Sequence, residues 1–217
     1  METKKIIITI VCVCILIIGA IAWCNDIFVS NFSIEKEAPL YDPEGIVVSE
    51  SGNVFCGLMW FQRVQVYSKN GVFIKGVPID AAGGTFKLKL DNQNHINVAT
   101  VRNDMLYIFD ENGILLSKKK IIDIYDSFDS IDQHCFFDRN KSKYAIKNSF
   151  VFPRIVETSP KGKSKTIVHI SFLYWLFMMP FPGMLFVFIG FLTLNWMYNE
   201  KFRRRIRAFI DEAHGNY

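Results

Sequence analysis

The chain has 217 residues, half of them hydrophobic, with 25 Lys and Arg against 21 Asp and Glu and a net charge of +4. That length holds one ordinary domain and not two. The stretch between its two long apolar blocks is nearly neutral, which excludes a nucleic-acid partner of the usual kind, because such domains concentrate cations on one face to displace counterions.

Residues 1–5 carry Lys4 and Lys5 and are expected as a cytoplasmic N-terminus. The uncharged run behind them predicts a transmembrane helix over 6–24. Its Gly19-Ala20-Ile21-Ala22 also fits the small-residue pattern of a cleaved signal peptide. Either reading places residues 25–166 outside the cytoplasm. Five cysteines are present, and of these only Cys56 and Cys135 lie well inside that middle region. With no CxxC they are expected as free buried thiols, not as a redox pair or zinc ligands.

The middle region is predicted as mainly β. Short runs of Val, Ile, Phe and Tyr alternate with turn residues. Val64-Gln65-Val66-Tyr67 leads through Ser68-Lys69-Asn70-Gly71 into Val72-Phe73-Ile74. Leu106-Tyr107-Ile108-Phe109 leads through Asp110-Glu111-Asn112-Gly113 into Ile114-Leu115-Leu116. Asn-Gly between apolar runs predicts a tight hairpin with both turn residues at positive φ. Gly71 and Gly113 stand 42 residues apart, as do Val54 and Ile96. A fixed period of that size with four short strands per unit predicts propeller-type blades over 43–80 and 85–120. A degenerate third unit is expected over 136–166, opening at Phe137-Asp138-Arg139-Asn140 and ending near Gly162.

Pro43-Glu44-Gly45-Ile46-Val47-Val48-Ser49-Glu50-Ser51-Gly52-Asn53-Val54-Phe55 resembles the opening of an NHL repeat, and Arg63–Tyr67 with Asn70-Gly71 resembles its close. The resemblance covers about a third of the chain and implies an antiparallel β-propeller blade. It also implies a ring of about six blades, for which the chain is too short. The domain is therefore expected as an open or partial propeller. A homodimer of two three-bladed chains closing one ring is the sharper alternative.

Few residues suggest chemistry. Leu58-Met59-Trp60-Phe61 lies in a loop between two strands, where an apolar run can meet a partner. Asp123, Asp126, Asp129 and Asp132 recur every third residue and offer carboxylates to a hard cation. Their spacing is not that of an EF-hand, and a short amphipathic element burying Ile121, Tyr125, Phe128 and Ile131 is the preferred reading, with no metal. His95 and His134 are the only histidines of the middle region and do not reproduce the metal-bound set of NHL-type enzymes. No phosphate loop, GxSxG or HExxH is present, so no catalytic residue and no cofactor is assigned.

Residues 167–198 predict a second transmembrane segment, kinked at Met179-Pro180-Phe181-Pro182-Gly183. The tail 199–217 is expected in the cytoplasm. Its Lys201, Arg203, Arg204, Arg205 and Arg207 would fix topology or meet lipid headgroups. The sequence thus predicts a multi-pass cell-membrane protein presenting a β-repeat module. That module would bind or assemble with another protein or with itself, without catalysis. The alternatives are an accessory subunit of a membrane complex, and a propeller-type hydrolase or lyase whose site is completed by oligomerisation.

Overall fold

A computed structural model describes residues 2–30, 34–129, 132–148, 152–172, 180–200 and 204. The chain divides into two compact units, Met1–Asn25 with Leu176–Tyr217, and Asp26–Trp175.

The larger unit consists of three four-stranded antiparallel sheets. Sheet 1 holds β1 (Pro43–Val48), β2 (Val54–Leu58), β3 (Arg63–Tyr67) and β4 (Phe73–Pro78). Sheet 2 holds β5 (Phe86–Leu90), β6 (Ile96–Thr100), β7 (Met105–Phe109) and β8 (Leu115–Lys120). Sheet 3 holds β9 (Cys135–Phe137), β10 (Lys143–Lys147), β11 (Arg154–Thr158) and β12 (Ser164–His169). Strands follow one another in chain order within each sheet, as in a propeller blade, so the mainly β, blade-like expectation holds.

Among the described residues one turn recurs six times. At 49–53, 68–72, 91–95, 110–114, 138–142 and 159–163 the first amide donates to the fifth carbonyl, and the fourth amide donates to the first carbonyl. The fourth residue has positive φ in every case: Gly52, Gly71, Asn94, Gly113, Lys141 and Gly162. Asn70 and Asn112 are not among the positive-φ residues, so the expected two-residue hairpin is replaced by a longer turn with one left-handed residue and a bulge behind it. The first side chain caps the loop. Asp110 Oδ1 accepts from the Asn112 and Ile114 amides at 2.9 and 2.7 Å, and Ser68 Oγ accepts from those of Asn70 and Val72.

Sheet 1 is covered on both faces. Ile46, Val48, Val54, Cys56 and Tyr67 pack with Tyr144, Ile146, Ile155 and Val168 of sheet 3. From the opposite face Val47, Phe55, Val64 and Val66 pack with Phe86, Leu88, Val98 and Phe109 of sheet 2. Alternation along β1 to β3 therefore sends their apolar side chains from Ile46 onward into one core or the other. The order in space is sheet 3, sheet 1, sheet 2, which differs from the order in the chain.

Of the two α-helices among the described residues, the smaller unit contains α1 (Glu2–Ser30) as far as Asn25 and all of α2 (Pro180–Tyr198), and their Thr9 and Tyr198 hydroxyls lie 2.6 Å apart. No helix among the described residues is long and apolar enough to cross a membrane. This corrects the transmembrane expectations for 6–24 and 167–198, and with them the cell-membrane location and the sidedness drawn from the basic flanks. The reason lies in where the apolar runs go. The C-terminal run begins inside β12, where Ile167 and Val168 are buried in the core. Lys201, Arg203, Arg205 and Arg207 lie outside the described residues, as do 173–179. Arg204 is exposed, 3.7 Å from Glu200.

Candidate functional site

Among the described residues of the β unit, the outer face of one sheet and two depressions are candidate contact sites. The face belongs to sheet 3. Tyr144 and Ile146 point into the core, so Lys143, Ala145 and Lys147 face the other way. Register puts Phe137 and Thr158 beside Lys143, Cys135 and Val156 beside Ala145, and Arg154 beside Lys147. The centre of this face is apolar and the rim is cationic. Phe137 is 63% exposed, with the Lys143 ammonium over its ring. An apolar centre inside a charged rim is the anatomy of a protein–protein contact.

Next to it, a cleft of about 650 Å³ opens between the turns of sheets 1 and 3. Val48, Leu90 and Phe136 form its apolar part. Glu50 and Arg139 form an ion pair across it, and Tyr144 donates to Glu157 Oε1 at 3.3 Å. Burial and the Glu157 carboxylate push the Tyr144 phenol up to about 12, so it stays a donor.

A second depression, about 330 Å³, lies between residues 36–40 and 168–171. Its wall is braced by a polar chain from β3. Gln65 is fully buried and clamps Ala38, accepting from its amide at 2.7 Å and donating to its carbonyl at 2.9 Å. Gln65 also donates to the Tyr67 hydroxyl at 2.8 Å, which in turn bonds Glu37. The Arg63 guanidinium donates to the Lys36 carbonyl at 3.1 Å and lies over Gly76, where a Cβ would come within 1.4 Å of it. Burial raises the Glu37 carboxyl above its ordinary range against the pull of Tyr67 and Arg63, although Glu37 stays exposed overall.

A third polar group joins the innermost strands. Gln133 accepts from the Ile46 amide through its backbone and from the Leu88 amide through its side chain, at 2.9 and 2.7 Å. The nearby Glu44 and Asp42 carboxyls are both raised, chiefly by burial. His134 partly offsets the rise at Asp42. Glu44 Oε2 is buried without a hydrogen-bond partner.

The residues singled out from the sequence scatter. Leu58 and Phe61 are core residues facing sheet 3, Met59 is half-buried, and Trp60 alone of the four is exposed, edge-on to Tyr41. Asp123, Asp126, Asp129 and Asp132 are all exposed. Asp129 pairs with Lys87, whose ammonium also sits over Tyr125, and Asp132 caps the His134 amide. Among the described residues no group of three or more His, Cys, Asp or Glu is placed to hold a metal. Ile131 lies outside the described residues, while Phe128 is buried on a short 3-10 turn at Asp126–Phe128 against β5. His95 pairs with Asp91 of its own turn at 3.4 Å and does not approach His134's surroundings through any described contact. Cys56 is buried, with its thiol pushed up to about 12, and Cys135 is half-buried; both are free. Sequence reasoning missed Arg63 and Gln65. The alternation Arg63-Val64-Gln65-Val66 reads as a strand with one wet face, and nothing local says that residues 34–40 and sheet 3 cover it.

No family model and no curated protein matches the chain. Solved structures show partial likeness. A virginiamycin B lyase from Staphylococcus aureus is 14% identical over 60% of this chain and 42% of its own, with a TM-score of 0.36. A streptogramin B lyase is 14% identical over 62% and 43%, with a TM-score of 0.35. A protein of unknown function from Bacteroides caccae is 16% identical over 58% and 48%, with a TM-score of 0.31. The chain spans less than half the length of these structures. The likeness is one of chain path, below the level from which a shared activity follows.

Proposed function

We propose that the chain is a binding and assembly module of NHL-like blades, acting through protein contact and not through catalysis. The observation that carries this reading is the outer face of sheet 3. Repeat sheets are stabilised by packing on a neighbour. Sheet 1 has a neighbour on each side, whereas sheet 3 ends the stack on its side, with Phe137 exposed and Cys135 and Val156 half-buried on its outer face. A second copy is the partner to test first, since two stacks of three sheets supply the six of a closed ring. Another protein covering the same face is the alternative partner, and the near-neutral β unit argues against nucleic acid. The polar side chains agree with a binding role. Asp91, Asp129 and Asp132 cap turns or pair locally, as His95 does, which fits a surface without a shared catalytic point around them.

Sedimentation velocity over a concentration series tests this directly. The wild-type chain is expected to shift from 25.1 kDa towards twice that mass, and Phe137→Asp to remain at 25.1 kDa. A wild-type chain that stays monomeric at tens of micromolar would sink the second copy as the partner.

A further inference from the structure

The outermost strand of sheet 2, β8, differs from the other strands of its sheet. All but one of its residues are exposed, and no strand among the described residues pairs with its outer edge. It reads Leu115-Leu116-Ser117-Lys118-Lys119-Lys120, followed by Ile121 and Ile122. Ser117 to Lys120 keep an unbroken antiparallel ladder with Ile108 to Met105, so on the other side every second residue directs its N–H and C=O away from the sheet. Ile114 and Leu116 at one end and Ile122 at the other are more than half exposed.

We propose that the β8 edge is a strand-addition site for an extended acidic segment of a partner protein. An open edge binds a peptide backbone whatever its sequence, and side chains set the choice of partner. Lysines on an edge repel neutral association and basic strands, which is how edges are normally kept from aggregating. Against an acidic strand the same three cations become attractive. Lys118 and Lys120 share one face of the strand and Lys119 takes the other, so carboxylates meet a cation in either register. A second copy does not fit here, because pairing β8 with β8 would set Lys118–Lys120 against themselves. The flanking Ile114, Leu116 and Ile122 supply apolar contact at the two ends. This site is separate from the sheet 3 face and stands without it.

The test uses the full chain and a fluorescein-labelled peptide of alternating Thr and Glu, followed by anisotropy. Binding is expected to saturate, to weaken with salt, and to weaken at least about tenfold for Lys118→Glu/Lys119→Glu/Lys120→Glu. The same peptide N-methylated at every second residue is expected not to bind, since it lacks the outward ladder bonds. Should the triple variant lose its β-sheet circular dichroism, Lys119→Glu alone is expected to weaken binding in the same direction. No binding by the wild type overturns the proposal. So does equal binding of the N-methylated peptide, which would reduce the effect to charge, or binding unchanged by charge reversal.

Discussion

At the scale of single residues, the β unit depends on polar side chains that do structural work out of sight of solvent. Gln65 satisfies both backbone groups of Ala38, a residue almost fully buried. Replacing it with Leu would leave an amide and a carbonyl unpaired, and Gln65→Leu is expected to cost about 2–4 kcal/mol in urea unfolding. Glu44 behaves differently. Burial is the largest cause of its raised pKa, with Asp42 adding to it. A carboxyl whose folded pKa is raised contributes stability while it is neutral, below its ordinary value of 4.5, and loses it as pH rises through the folded pKa. Glu44→Gln is therefore expected to raise the urea midpoint at neutral pH, with the advantage gone by about pH 4. A midpoint that falls at neutral pH would show that the ionised carboxylate is held by a partner.

At the scale of elements, the repeated turn explains which parts of the fold were legible. Ser or Asp in first position and Gly in fourth are local signals, and where both occur, as at Ser68-Gly71 and Asp110-Gly113, the hairpin could be read directly. In sheet 3 the same turn is made by Asp138 with Lys141 in the left-handed position, which hides it from a search for Gly. That position is strained for a residue with a Cβ. Lys141→Gly is expected to stabilise the unit by about 1 kcal/mol, measured by chemical unfolding. Leu58 and Phe61 show the limit of reading loops by composition. An apolar loop suggested a partner surface, yet two of its four residues go to the core because sheet 3 returns to cover sheet 1. In the Asp123–Asp132 run the carboxylates are in water, but of the expected apolar stripe only Phe128 is buried, while Ile121 is exposed and Tyr125 half-buried.

At the scale of the whole molecule, what the sequence conceals is non-local. Periodicity gives sheets one after another, and a blade stack is then naturally assumed to follow chain order. Here the sheet placed last in the chain packs on the far face of the first, through Tyr144, Ile146 and Val168. The apolar block near the C-terminus misled for a related reason: it reads as one segment, although its first residues finish a strand. The spatial order leaves the outer face of sheet 3 uncovered, and the assembly role rests on that face. Cys135 lies at its centre, half-buried and free, while Cys56 is buried with a thiol pushed up to about 12 and serves as an unreactive reference. The most direct measurement is the rate of Cys135 alkylation by iodoacetamide, mapped by mass, in the full chain at nanomolar and at tens of micromolar concentration. Assembly through this face is expected to slow Cys135 several-fold at the higher concentration and to leave it fast in Phe137→Asp; equal rates for the wild type at both concentrations would contradict it.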